Sequence, residues 1–163
     1  DNGVNNAFSG RSQTWIADFI YKWAPNGNSS VTNLKLQGEY FQRRETGELT
    51  YDTDGAAALS AARFRPSGAY LQAVYQFMPQ WRVGLRHDRL DTGSLNLGAQ
   101  LDGLYAHTDA TPHRNSLMLD WSPSEFQRWR IQLSDDRVRP GVKDTQLFLQ
   151  YQMSLGAHGA HSF

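Results

Sequence analysis

The chain has 163 residues, no cysteine, and sixteen basic residues balanced by sixteen acidic ones for a formal net charge of zero. Disulfide scaffolds and thiolate metal sites are therefore excluded, and no excess of basic charge points to nucleic acid. No run of about 18 apolar residues exists, which excludes a transmembrane helix. It does not exclude transmembrane strands, whose apolar residues fall only at every second position.

In chain order, Asp1–Ser12 is polar and turn-rich and reads as a loop or a partial strand. Seven strands follow over residues 13–163. The first, Thr14–Trp23, has Trp15, Ala17, Phe19, Tyr21 and Trp23 on one face and Thr14, Asp18 and Lys22 on the other, together with Ile16 and Ile20. Pro25-Asn26-Gly27-Asn28 is a tight turn. The second strand, about Thr32–Arg43, sets Leu34, Leu36, Gly38 and Tyr40 against Lys35, Gln37, Glu39 and Arg43. Glu45–Ser67 is a long connection, in which the Ala56–Ala62 run has the composition of a helical turn.

The third strand, Ala69–Phe77, alternates Leu71, Ala73, Tyr75 and Phe77 with Gln72 and Gln76. A short turn leads to the fourth, Trp81 to about Arg89, with Trp81, Val83, Leu85 and His87 opposed to Arg82, Gly84, Arg86 and Asp88. After a second long connection come His113–Trp121, the turn Ser122-Pro123-Ser124, and Gln127–Asp135. The last stretch, Lys143–Phe163, has a nearly unbroken apolar row from Leu147 to Phe163, and a mostly glutamine and serine row between.

Connections after strands one, three and five are short, and those after two, four and six are longer. Outer-membrane barrels pair short periplasmic turns with long extracellular loops, so the alternation predicts both a transmembrane β-barrel and its orientation. Aromatic residues agree with this. Tyr21, Trp23, Phe77, Trp81, Trp121, Trp129 and Phe163 fall near the periplasmic ends, in phase with the apolar rows, and Trp15 and Tyr40 near the extracellular ends. These are the positions of membrane-interface girdles. The competing reading is a soluble antiparallel barrel or sandwich with the apolar rows inside. That reading crowds Trp and Phe at one end of a core and gives the terminal Phe no role. Single-chain bacterial barrels carry an even number of strands. Seven is odd, so either a short strand near Val4–Phe8 closes a barrel of about eight, or the chain is the C-terminal part of a larger one. We favour the second.

Five stretches carry a resemblance: Trp23-Ala24-Pro25-Asn26-Gly27-Asn28; Leu36-Gln37-Gly38-Glu39-Tyr40-Phe41; Tyr75-Gln76-Phe77-Met78-Pro79-Gln80-Trp81-Arg82-Val83-Gly84; Asp120-Trp121-Ser122-Pro123-Ser124-Glu125-Phe126; and Met153 to His161. Together they resemble the C-terminal part of a proteobacterial outer-membrane barrel family. Its members are labelled porin-like or zinc-regulated TonB-dependent receptors, and are similar to phosphate-selective porins. The resemblance implies a bacterial outer-membrane location, contact with outer-membrane lipids and lipopolysaccharide, and recognition of the strand ending in Phe163 by the barrel-assembly machinery. It carries over no catalytic residue and no cofactor.

The polar rows supply the candidate site. Lys22, Lys35, Arg43, Arg82, Arg86, Arg114, Arg128 and Arg130 stand against Asp18, Glu39, Asp88, Asp120 and Asp136, an excess of three positive charges facing the lumen. Basic rings favour anions. Pairing across strands would cancel most of these charges. Arg82/Arg86 and Arg128/Arg130 are the exceptions expected, with Asp120 opposing them. His158 and His161, with His107 and His113, invite a metal reading, but His-x-x-His on a strand points the two rings to opposite faces. His87 and Asp88 likewise diverge, which disfavours a Ser-His-Asp hydrolase. Asp52–Asp54 and Asp135–Asp136 fall at extracellular edges, where solvation or divalent-bridged lipopolysaccharide accounts for them. The expected function is a porin-like channel for small solutes, with anions the favoured class. The alternatives are the barrel part of a TonB-dependent receptor and, less favoured, a non-conducting structural barrel or a membrane-embedded enzyme.

Overall fold

The computed structural model describes residues 4–99, 101, 110–139 and 141–155. They form one antiparallel sheet of nine strands: β1 (Ala7–Trp23), β2 (Asn33–Tyr51), β3 (Ala58–Phe64), β4 (Ser67–Met78), β5 (Trp81–Asp91), β6 (Leu95–Asn96), β7 (His113–Ser124), β8 (Gln127–Arg137) and β9 (Asp144–Met153). Among the described residues the only helical element is a single 3₁₀ turn at Pro25–Gly27. There Asn26 and Gly27 both take positive φ (53° and 74°), as an Asn-Gly turn requires.

Seven strands pair in sequence order as a meander, β1-β2-β4-β5-β7-β8-β9. The sheet is not closed: β1 pairs β2 alone and β9 pairs β8 alone. Seven strands stand where seven were expected, and two more join them, although the last, expected to run to Phe163, ends at Met153, with Ser154 and Leu155 beyond it and residues 156–163 outside the described ones. The Ala56–Ala62 run, expected to hold a helical turn, instead enters strand β3, which pairs with Glu45–Tyr51. Alanine favours helix only weakly, and an available strand edge outweighs it. The first strand begins at Ala7, not Thr14, and the second ends at Tyr51, not Arg43, because the two pair without a break from Ala7↔Thr50 to Trp23↔Leu34. Leu95–Asn96 adds a two-residue strand beside β3.

β2 is thus shared. Its first half pairs β4 on the side away from β1, and its last seven residues pair β3. Above this fork Ala62, Leu97 and the fully buried Leu101 make a small dry cluster with Leu49 and Tyr51. Register puts Leu49, Tyr51 and Ala62 on the same face as the polar row of β2.

Two bulges interrupt the ladders, at Gln76/Met78 and Trp121/Ser124, both beside the short turns. The first changes one expectation. Met78, not Phe77, lies opposite Trp81, and Phe77 has no partner in the register. An extra residue in one strand shifts every side chain beyond it.

Candidate functional site

In an antiparallel pair, directly opposed residues share a face, so the register sorts every side chain. One face is apolar. Its lowest row, nearest the short turns, is Trp81↔Trp121↔Trp129↔Tyr151. Trp81 and Trp121 stack with centroids 5.9 Å apart, and Trp129 meets Tyr151 at 4.4 Å. Next come Tyr75, Val83, Leu119, Ile131 and Leu149, then Ala73, Leu85, Leu117, Leu133 and Leu147. β1 and β2 add Trp23, Tyr21, Phe19 and Trp15, with Leu34, Leu36 and Tyr40. This face is bare: Trp15 is 73 % exposed and Leu149 75 %. Leu34 and Leu36 are only half-buried, since β1 and β4 flank them on both sides. Trp15, expected at the end of its strand, lies midway along β1, because that strand continues eight residues further. Phe163, His107, His158 and His161 lie outside the described residues.

The other face is polar and crowded. Here Asp120, Ser134, Asp136, Met118 and Ala62 are buried, while large apolar residues of the opposite face stand in the open, as do Phe8, Ile16, Ile20, Phe41 and Phe148 of this one. This inverts a water-soluble protein. Burial on this face is concentrated on β7 and β8, and we call it the inner face. All thirteen charged residues expected to face a lumen are on it, among them Asp18, Lys35, Glu39, Arg82, Arg86, Asp120, Arg128 and Arg130.

The charge pattern on this face departs from the expectation. Arg130 clamps Asp120 with two hydrogen bonds, 2.6 and 2.9 Å. Arg86 holds Asp88, two residues along its own strand, at 2.6 Å, and lies 4.0 Å over the Tyr70 ring. Arg114 pairs with Asp136. Of the four arginines expected to act as one basic patch, Arg86 and Arg130 are therefore neutralised. Arg82 instead donates to Ser122 Oγ at 3.1 Å and Arg128 to Gln152 Oε1 at 2.5 Å, so both keep their charge. Lys35 and Glu39, four residues apart on one strand, make no ion pair among the described residues. Lys35 faces Lys22, and Glu39 faces Asp18.

Two further carboxylates share the face. Glu45 lies on β2 in phase with Arg43, to which it pairs at 2.5 Å, and Asp144 is opposite Asp136. The count becomes eight basic against seven acidic residues. Glu45 came in with the extension of β2 beyond Arg43, whereas Asp144 already lay in the last expected strand and joins this face through its register with Asp136. One cross-strand row, Asp18-Glu39-Tyr70-Asp88-Arg114-Asp136-Asp144, holds five carboxylates and one arginine across seven strands. The unpaired cations Lys22, Lys35, Arg82 and Arg128 all lie on the short-turn side of this row. The inner face is therefore layered, acidic toward the long connections and basic toward the short turns. A cavity of about 630 Å³ opens on it, walled by Tyr70, Gln72, Arg86, Ser116, Arg130 and Gln132.

His87 and Asp88 fall on opposite faces, as their spacing requires, and His87 bonds Asn115 at 2.7 Å instead. Among the described residues no group of three or more His, Asp or Glu is arranged to hold a metal.

No protein-family model matches the chain. An uncharacterized protein of Aquifex aeolicus (strain VF5) is 27 % identical over 167 residues, covering all of this chain. The chain spans 33 % of that relative's length. No solved structure matches.

Proposed function

We propose that this chain is part of the wall of a bacterial outer-membrane β-barrel that forms a porin-like channel for small solutes. The observation that carries the reading is the inversion: apolar, aromatic-edged rows in the open and ion-paired polar rows in the crowded inner face. Water gives no reason to expose a continuous face of Trp, Leu and Ile, whereas lipid does.

The boundary of the apolar face supports the reading further. The row through His87 is polar on β5, β7, β8 and β9 (His87, Asn115, Asp135, Thr145) but apolar on β1, β2 and β4 (Phe19, Gly38, Leu71). Transmembrane strands tilt by about 40°, so a row perpendicular to them crosses the membrane obliquely, by about 3 Å per strand. A flat membrane surface then cuts each row partway along.

The layered inner face carries a weaker anion preference than eight basic residues suggest. It rests on Arg82 and Arg128, and the carboxylate row opposes it. The test is a planar bilayer with a salt gradient across it. We expect conductance from the full-length protein whose wall this chain helps to form, a shift of reversal potential toward cations in Arg82→Gln/Arg128→Gln, and a smaller shift in Arg86→Gln/Arg130→Gln. Absence of conductance from folded, inserted protein would overturn the channel.

A further inference from the structure

On β5, β7 and β8 the outward face ends in a basic row. Arg89, His113 and Arg137 are direct neighbours across three strands, immediately above the polar row of His87, Asn115 and Asp135 and two rows above the leucines. Lys143 reaches the same place from the connection between β8 and β9, as the residue just before β9. Arg89 and Arg137 stand one strand apart on either side of His113, so their like charges repel unless something compensates. Asp135 compensates poorly: Arg137 is 3.4 Å and Lys143 3.7 Å from it, beyond good hydrogen-bond length, and the two cations are 49 % and 61 % exposed. Beside them a cavity of about 460 Å³ is lined by Thr111, His113, Arg137, Arg139, Val142 and Lys143. Its walls combine cationic donors with apolar side chains.

We propose that this outward cluster, Arg89, His113, Arg137 and Lys143 with Arg139, is a docking site for the phosphate of a membrane lipid headgroup, specifically the phosphorylated glycolipid of the outer leaflet. The inference rests on the membrane reading above. Three features select this occupant. The cluster faces outward, away from any lumen, so a permeating solute does not pass it. It lies on the same outward face two rows above the leucines, across one polar row, so a lipid whose chains cover Leu85, Leu117 and Leu133 brings its headgroup to Arg89 and Arg137. It also lies at the long-connection end, which the orientation above assigns to the outer leaflet. Arginine forks take phosphate oxygens two at a time, while lysine serves as a mobile point charge.

Two measurements on the full chain separate this inference from the reading it rests on. Flotation with neutral phosphatidylcholine vesicles reports membrane insertion. Retention of lipid A in detergent micelles, scored by native mass spectrometry against dephosphorylated lipid A, reports the site. Each surface cation contributes on the order of fivefold to binding of an anionic lipid. The triple variant Arg89→Gln/Arg137→Gln/Lys143→Gln is therefore expected to float like the parent yet retain lipid A about a hundredfold less. Retention of both lipids equally by the parent, or unchanged retention by the floating variant, overturns the site and leaves the membrane reading standing. Displacement of lipid A by millimolar inorganic phosphate alone would assign the cluster to free phosphate and also overturn it. A parent chain that does not float overturns both.

Discussion

Replacing Leu133 by arginine separates a lipid-facing sheet from a water-facing one. Leu133 lies four residues above Trp129 on the outward row, about 13 Å along the strand. At a tilt of about 40° this is roughly 10 Å along the membrane normal, close to the middle of an apolar band about 25 Å tall. Arginine at that depth costs about 2–4 kcal/mol. Asp135 is two residues further on the same face, within reach of a long side chain, so the lower end, about 2 kcal/mol, is expected. Met153→Arg is the control. It sits on the same outward face but two residues below Tyr151, at the band's edge, where the cost falls to about 0–1 kcal/mol. In water neither position is special. Leu133 is 48 % exposed and Met153 49 %, so both changes would stay within about 0.5 kcal/mol of the parent. The assay is guanidinium unfolding of vesicle-reconstituted protein followed by tryptophan fluorescence. Equal effects at the two positions, or no loss at Leu133→Arg, would refute the lipid assignment of this face.

Three further outcomes follow from the inner face. Asp120→Asn strips Arg130 of its clamp in a spot where Asp120 is 1 % exposed, and should cost about 2–3 kcal/mol in the same unfolding assay. Adding Arg130→Gln should return part of that, as a double-mutant cycle would show. Lys22→Gln removes one of two like charges facing each other across β1 and β2. It should stabilise by about 0.2–1 kcal/mol at low salt, and the gain should shrink in 1 M salt. Gly84→Ala would bring a methyl group to 2.6 Å from Met118 Cε and should cost about 1–3 kcal/mol. Met118→Ala in the same chain should relieve most of the strain, measured by the midpoint of unfolding.

The alternation of Leu, Tyr and Trp with Gln, Arg and Ser was enough to find seven strands and to assign the face of Arg82, Asp120 and Trp129, because a strand's period is local. What it missed depends on neighbours. Ala58–Phe64 has no strong period of its own and becomes a strand because β2 offers it an edge. Phe77 loses its place opposite Trp81 to a bulge, which leaves no mark in the alternation. The charge layering was out of sight for the same reason. Reading each strand alone cannot tell that Asp18, Glu39, Asp88, Asp136 and Asp144 share one row; only the register aligns them. Of the arginine pairs, Arg86–Asp88 and Arg43–Glu45 each lie within one strand's own reach, whereas Arg130–Asp120 required the hairpin between β7 and β8.

The fork at β2 has a mechanical side. One unbroken backbone belongs both to the lower sheet, through β4, and to the upper extension, through β3, and β1 is bonded to it along the whole of β1's length. The extension therefore has no hinge at its base. To swing relative to the lower sheet it would have to tear a ladder from Ala7 to Trp23 at mid-length. It behaves as a stiff spout cantilevered from the sheet, braced on its inner side by Leu97 and Leu101. Anything that approaches this end meets a fixed rim on the β1–β3 side. On the opposite side β8 and β9 stop at Arg137 and Asp144, and among the described residues no strand extends them.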